Sequence, residues 1–222
     1  FRPGPVFANV VLADEINRSS PKTQSSLLEC IEERQVTVDG MTYLLKPPFM
    51  VVATQNPIEY EGTYPLPEAQ LDRFMMRLSL GYPSADAEAS ILHEQTSRDP
   101  LSELQPVLHA SEVLAMTQAV TRIRVAPALR RYVVDLVTAT RTERDIYLGA
   151  SPRAGIALVR AAKALALLRG RDFVVPKDIK DLALRVLAHR LVLSPDAKVH
   201  GQTAEDIVTR LTDRVPVPQS GS

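Results

Sequence analysis

The chain has 222 residues, of which 45% are hydrophobic, a composition typical of a folded globular protein with one large domain or two modest ones. Its 26 basic and 26 acidic residues balance, so the net charge provides no long-range field for nucleic acid or an anionic membrane. The single cysteine, Cys30, excludes a disulfide framework and a cysteine-based metal site, and the four histidines show no ligand spacing. A lone cysteine fits a reducing compartment, and we therefore expect a cytoplasmic protein.

The first predicted element is a strand that ends in two adjacent carboxylates. The stretch FANVVLADEINRSSPKTQ has an apolar run from Phe7 to Ala13, typical of a strand buried on both faces of a parallel sheet. Asp14 and Glu15 follow at its carboxyl end, which is where ligands bind in open α/β sheets. The pair indicates a site for a metal or a reacting water. Acids also mark the exit of a strand into a solvated turn, and this reading stays open.

A helix and a hairpin follow the first strand. In SSPKTQSSLLECIEER, Ser20 is a suitable N-cap and Pro21 a suitable first helical residue, and the leucines and isoleucine recur at helical spacing. In QVTVDGMTYLL, apolar and polar residues alternate around Asp39-Gly40, a dipeptide that supplies the positive φ angles of a tight turn. The sequence therefore predicts a β-hairpin after the helix.

A second buried strand repeats the pattern of the first. The segment FMVVATQNP predicts a strand from Phe49 to Thr54, with polar residues at its end and a proline that stops it. As parallel neighbours with the helix as their crossover, the two strands would bring Asp14, Glu15 and Asn56 into one crevice.

The remaining sequence predicts a change from mixed structure to helices. A short helix from Pro67 to Phe74 and a strand MMRLSL come first, and after them the only strand candidate is a doubtful DFVV. The AGIALVRAAKALALL segment is interrupted by Arg160 and Lys163, which indicates a core-facing helix rather than a membrane span. A polar, proline-containing stretch near residues 98–105 is the expected boundary. The predicted helices are Ser84 to Thr96, Ser111 to Val120, Pro127 to Arg141, Ser151 to Leu168 and Pro176 to His189.

Several long motifs give the chain a specific resemblance. VVLADEINRSSPKTQSSLLECIEERQVTVDG, VVATQNPIEYEGTYPLPEAQLDRF and GASPRA resemble the MoxR group of AAA+ ATPases, in the family's order and over nearly the whole chain. The resemblance implies an α/β fold, in which a partial P-loop NTPase core with a parallel sheet, helices and a pre-sensor β-hairpin precedes an all-helical lid. Residues 1–100 would be the C-terminal part of the core, and residues 101–222 the lid.

The resemblance also implies roles for the polar residues at the strand ends. Asp14 resembles the Walker B aspartate, which holds Mg²⁺ through water while the metal bridges the β- and γ-phosphates of ATP. Glu15 would be the general base that polarises the attacking water. Asn56 resembles sensor 1, whose neutral amide helps to place that water against the nucleotide. The alternative for Asn56 is a capped strand end before a proline.

Two arginines complete the implied site. Arg73, in QLDRF, resembles the arginine finger that one subunit inserts into its neighbour's site, and the alternative is a salt bridge to an acid such as Asp72. Arg153 lies in the first turn of a predicted helix, where the helix dipole disfavours a cation, so an anion is expected nearby. The resemblance implies that this anion is nucleotide phosphate and that Arg153 is sensor 2. Arg18 and Arg34 are expected on solvated helix faces rather than at a subunit interface.

The chain departs from the family's pattern at the phosphate loop. Relatives of this type carry G-x-x-x-x-G-K-[ST] upstream of the Walker B strand, and this motif does not occur in the chain. We therefore expect an N-terminally truncated sequence that binds ATP poorly by itself, although its parent protein is an ATP hydrolase.

The sequence is compatible with three classes of function. The leading one is a ring-forming, hexameric, Mg²⁺-dependent ATPase that remodels or matures client protein complexes, with partners that contain von Willebrand factor A domains. The second is a scaffold subunit without catalysis, which the missing phosphate loop favours. The third, a nucleic-acid motor, has the least support, because tryptophan is absent and the hairpin has no basic residue before Lys46.

Overall fold

The structure, a computed structural model, describes residues 3–56, 64–94 and 100–218. Its strands are β1 (Val10–Ala13), β2 (Gln35–Val38), β3 (Met41–Leu44), β4 (Met50–Ala53), β5 (Ile146–Leu148) and β6 (Val192–Leu193). Its helices are α1 (Pro21–Glu33), α2 (Glu68–Leu71), α3 (Ala85–Glu94), α4 (Ala110–Arg122), α5 (Pro127–Thr142), α6 (Pro152–Leu168), α7 (Pro176–Leu187), α8 (Pro195–Val199) and α9 (Ala204–Arg214). Short 3₁₀ turns lie at Pro5–Phe7, Ile16–Arg18, Pro100–Glu103 and Ala188–Arg190.

The two predicted strands are parallel neighbours, but the prediction that they are buried on both faces is wrong, because Val10, Leu12, Met50 and Val52 are exposed. β1 pairs with β4 from Val10 opposite Met50 to Ala13 opposite Ala53, and α1 with the hairpin forms the connection. The pairing continues past both strands, because the Thr54 amide donates to the Ala13 carbonyl at 3.0 Å. The carboxyl ends of the two strands therefore lie side by side, as the sequence predicted.

The helix and hairpin between these strands follow their local signals. The Ser20 side chain caps α1 by accepting from the Thr23 amide, and Pro21 is the first helical residue. β2 and β3 pair in antiparallel fashion around Asp39 and Gly40, which have φ values of 50° and 75°. Both residues of the turn are left-handed, as the right-handed twist of a two-residue hairpin requires.

Two hydrophobic clusters support the fold. The larger lies among the helices after residue 120, and its most buried side chains include Tyr132, Leu136, Leu158, Ile179 and Ile207. The smaller surrounds Cys30, Leu45 and Phe49, between α1 and the strands. The predicted change from an α/β part to a helical part is confirmed by this arrangement. No described helix is both long enough and apolar enough to cross a bilayer.

Four features of the fold differ from the sequence prediction. Residues 75–80 form no strand, because no described strand pairs with them, and Leu80 is 98% exposed. DFVV contributes only an isolated bridge between Phe173 and Arg124. β5 and β6 were missed, since three and two residues are too short to show a period. α8 and α9 were missed beyond residue 190, and the end of the predicted helix 84–96 lies partly outside the described residues.

Candidate functional site

The two carboxylates stand where the chain leaves β1 through an unusual backbone turn. Glu15 has φ 47° and ψ 52°, a left-handed conformation that typically costs a residue other than glycine about 1–3 kcal/mol. The turn is held from the neighbouring strand end, because the Ile16 amide donates to the Thr54 carbonyl at 3.0 Å. Such strain is concentrated at functional sites, where surrounding contacts enforce one orientation of the side chain.

A threonine hydroxyl connects both acids. Thr54 Oγ1 donates to Asp14 Oδ1 at 2.5 Å and accepts the Glu15 amide at 2.8 Å. One hydroxyl therefore orients the Asp14 carboxylate and fixes the backbone of Glu15. Sequence reasoning missed Thr54, and the available signal was its position at the end of the second predicted strand, opposite the acids.

Asn56 is brought to Glu15. Its side-chain Nδ2 donates to Glu15 Oε1 at 3.4 Å. Its backbone is held by Asn17, a buried residue whose Nδ2 donates to the Asn56 carbonyl at 3.2 Å and whose Oδ1 accepts the Asn56 amide at 3.4 Å. The structure thus brings together Asp14, Glu15 and Asn56, and Asn17 is a second supporting residue that sequence reasoning missed.

Arg18 and Arg34, which flank α1 in the sequence, have partners in their own chain. Arg18 forms a salt bridge with Glu15 at 3.1 Å, and the two side chains are 51% and 37% exposed, so water screens the pair. Arg34 follows α1 with φ 56°, donates to the Phe49 carbonyl at 2.5 Å and lies 5.7 Å from the centre of the Phe49 ring. Both residues are exposed to solvent, as expected, and each also has a partner in its own chain.

The donor set at the strand ends suits one type of metal binding. Among the described residues, no three acidic, histidine or cysteine side chains are grouped closely enough to hold a metal by themselves. Mg²⁺ typically uses one or two carboxylates together with water and substrate phosphate. Asp14 fits this mode, in which water and a nucleotide would complete the coordination.

The two predicted phosphate-binding arginines meet at one carboxylate. Arg73 Nη1 lies 3.2 Å from Glu32 Oε2, and Arg153 Nη2 forms a very short ion pair with Glu32 Oε1. The alternative for Arg73, a salt bridge to a nearby acid, is thus observed, with Glu32 as the acid instead of Asp72. Asp72 accepts from Ser151 Oγ and Arg190 Nε, each at 2.8 Å. Glu32 is the anion expected near Arg153, and sequence reasoning did not identify it.

The candidate residues form two groups at opposite ends of α1. The turn that follows Glu15 lies beside the first turns of the helix, because Gln24 Nε2 donates to the Ile16 carbonyl at 3.2 Å. Glu32 lies in the last turn. A helix of 13 residues is about 20 Å long, so the arginines do not converge on the acids of their own chain.

A buried arginine attaches the loop after α2 to the helical part. The Arg190 side chain is 2% exposed, and it donates to the Asp72 carboxylate and to the carbonyls of Phe74 and Met75 at 2.6 and 3.3 Å. Burial lowers the pKa of Arg190, and Asp72 opposes that effect. His189 Nε2 lies 3.2 Å from the Phe74 carbonyl, and burial lowers the His189 pKa to about 4, so the neutral ring donates there.

Two family models match parts of the chain. Residues 1–76 match the ATPase family associated with various cellular activities (AAA), and residues 138–211 match the AAA lid domain. The chain is 51% identical to protein YeaC of Bacillus subtilis (strain 168) over 218 residues, which cover 98% of this chain and 68% of that protein. It is 43% identical to Chaperone MoxR1 of Mycobacterium tuberculosis over 225 residues, 97% of this chain and 59% of that protein.

A solved structure shares the fold. The crystal structure of a candidate ATPase from Cytophaga hutchinsonii superposes with a TM-score of 0.92 at 40% identity, over 98% of this chain and 69% of that one. The α/β core followed by a helical lid is therefore confirmed. The chain spans between about three fifths and two thirds of the length of these relatives.

Proposed function

The chain belongs to the MoxR group of AAA+ ATPases, and we propose that it forms part of a ring-shaped, Mg²⁺-dependent ATP hydrolase. Residues 1–100 would supply the C-terminal part of the α/β core and residues 101–222 the helical lid, a division supported by the two hydrophobic clusters. The observation that carries the proposal is the separation of the acids and the arginines by the length of α1.

The first group would activate the water that attacks the γ-phosphate. Bound Mg²⁺, held by Asp14 through water, would neutralise charge that develops on the phosphates. Glu15 would accept a proton from the attacking water at Oε1 or Oε2, and the Asn56 amide would hold the Glu15 carboxylate and that water in line. Thr54 would keep both acids in this orientation through its hydroxyl.

The second group would complete the site of an adjacent subunit. Arg73 and Arg153 are paired with one carboxylate far from the acids of their own chain, which supports their action on a nucleotide held by a neighbour. A guanidinium distributes charge over several donors, and an arginine finger typically contributes a thousandfold or more to the rate. Catalysis would therefore require assembly, and we propose a hexamer.

Mixing two inactive variants of the full-length protein tests this arrangement. An Arg73→Ala subunit keeps its own acids, and a Glu15→Gln subunit keeps its own arginines, so mixed rings contain interfaces where an intact base meets an intact arginine. The expected result is ATPase activity in the mixture that neither variant shows alone, measured against mixing ratio after mass photometry confirms mixed rings. A flat rate at background would refute action across the interface.

The client and the cellular role are proposed from relatives. The similarity to a protein named Chaperone MoxR1 supports remodelling or maturation of client protein complexes. We further propose a cytoplasmic location and partners with von Willebrand factor A domains. A second candidate is a scaffold subunit without catalysis that still presents Arg73 to a neighbour. Equilibrium binding of Mg-ATP to the full-length protein distinguishes the two, since a scaffold of this kind would not bind it.

A further inference from the structure

Glu32 is an acidic residue shared by two arginines of different segments. It lies in the last turn of α1, its side chain is 26% exposed, and each of its carboxyl oxygens contacts a different guanidinium. Arg73 follows α2, and Arg153 lies in the first turn of α6. A single carboxylate therefore connects the core segment to the helical lid.

Local helix electrostatics do not explain these positions. The C-terminal turn of a helix carries partial negative charge and disfavours Glu32, and the N-terminal turn of α6 carries partial positive charge and disfavours Arg153. Both residues occupy the less favourable end of their helix, so the ion pairs among Glu32, Arg153 and Arg73 account for their positions. Residues that contradict the local helix preference in this way are expected at functional sites.

The ion pairs with Glu32 use only part of the hydrogen-bonding capacity of Arg73 and Arg153. An arginine has five N–H donors, and among the described residues the structure records no side-chain partner other than Glu32 for either Arg73 or Arg153. Two adjacent cations repel each other, and the carboxylate between them offsets this repulsion and sets their spacing. The remaining donors can then face a single polyanion.

We propose that Glu32 is a positioning residue that holds Arg73 and Arg153 as one clamp for the terminal phosphate of a nucleoside triphosphate bound by an adjacent subunit. The inference rests on the proposed function and goes beyond it by assigning the residue that aligns the clamp. Asp72, Ser151 and Arg190 hold the backbone beside Arg73 independently of Glu32, so loss of the carboxylate releases side chains rather than the loop.

The test uses steady-state kinetics of the full-length assembled protein. Glu32→Gln keeps the size of the side chain and removes the charge, and Glu33→Gln is the matched control, because Glu33 is the exposed next residue of the same helix. We expect kcat of Glu32→Gln to fall about 10- to 100-fold, as for a small misplacement of catalytic groups, with KM for ATP and the melting temperature nearly unchanged. Glu33→Gln should keep the wild-type kcat.

Two further variants separate positioning from a structural role. Glu32→Asp keeps the charge but shortens the reach, so we expect an intermediate kcat. In an Arg153→Ala background the clamp is already broken, so adding Glu32→Gln should lower kcat much less than in the wild type. An equal loss in both backgrounds, an unchanged kcat, or a raised kcat from release of competing charge would overturn the assignment.

The outcome also distinguishes this inference from the proposed function. If Glu15→Gln and Arg73→Ala abolish turnover while Glu32→Gln does not, only the role of Glu32 is wrong. If Glu15→Gln and Arg73→Ala leave turnover intact, the proposed site itself is wrong.

Discussion

Removal of the Thr54 hydroxyl group should abolish the hydrogen bonds that hold Asp14 and Glu15 in place. Thr54→Val has nearly the same shape as threonine but cannot donate to Asp14 Oδ1 or accept from the Glu15 amide, which the wild type does at 2.5 and 2.8 Å. Both bonds are exposed to solvent, so water replaces part of what is lost, and the free energy of unfolding should fall by about 1 kcal/mol. The effect on turnover should be much larger.

The expected kinetic effect follows from the geometry. Glu15 sits in a left-handed backbone conformation that Thr54 helps to hold, and without the hydroxyl both carboxylates gain freedom. A displacement of about 1 Å at a reacting group typically lowers the rate about 100-fold. We therefore expect kcat of the full-length Thr54→Val protein to fall about 10- to 100-fold, measured by phosphate release at saturating Mg-ATP.

Two controls make the result specific. Thr54→Ser keeps the hydroxyl and should retain most of the activity. Thr37→Val removes a comparable bond, since Thr37 Oγ1 donates to Glu29 Oε1 at 2.6 Å in the hairpin, away from the site. It should lower the melting temperature by no more than Thr54→Val, which loses two hydrogen bonds instead of one, and match the wild type in kcat. A Thr54→Val protein with kcat within twofold of the wild type would refute the role of this hydroxyl.

Glu15→Gln should preserve ATP binding and lower turnover about 100- to 10,000-fold, the usual contribution of a general base. Asp14→Asn should also weaken Mg²⁺-dependent binding of ATP. Equal turnover of Glu15→Gln and wild type at saturating Mg-ATP would contradict the assignment of the base. Burial holds the His189 pKa at about 4, below its ordinary value of 6.5, so the unfolded chain binds a proton between these values and the folded chain does not. This contribution to the free energy of unfolding is complete above pH 6.5 and is lost as pH falls through 4. Urea titrations should therefore show that the wild type loses about 3 kcal/mol more than His189→Gln over this range. Parallel pH curves for the two proteins would show that the histidine is not held neutral.

Local sequence signals determined the elements that surround the acids. An apolar run predicts β1 and β4, Ser20 and Pro21 begin α1, and Asp39-Gly40 forms the hairpin turn. These signals depend only on neighbouring residues, which is why they could be read directly. The meeting of Asp14, Glu15 and Asn56 followed from the rule that parallel strands end at the same edge of a sheet.

Pairings between distant segments could not be read in this way. Residues 75–80 have the composition of a strand, but a strand exists only beside another strand, and no described strand pairs with them. β5 and β6 show the converse, since Ile146 and Leu193 pair across 47 positions although each strand is too short to show a pattern.

Through its resemblance to a family, the sequence by itself determined which residues are candidates for the site: two acids, an amide and two arginines. The tertiary structure decided their grouping. Glu32 joins Arg73 to Arg153 across segments 41 and 121 positions away, and α1 separates them from the acids. Such contacts depend on how helices and loops pack in three dimensions, because a carboxylate can pair with any arginine that the fold brings within reach.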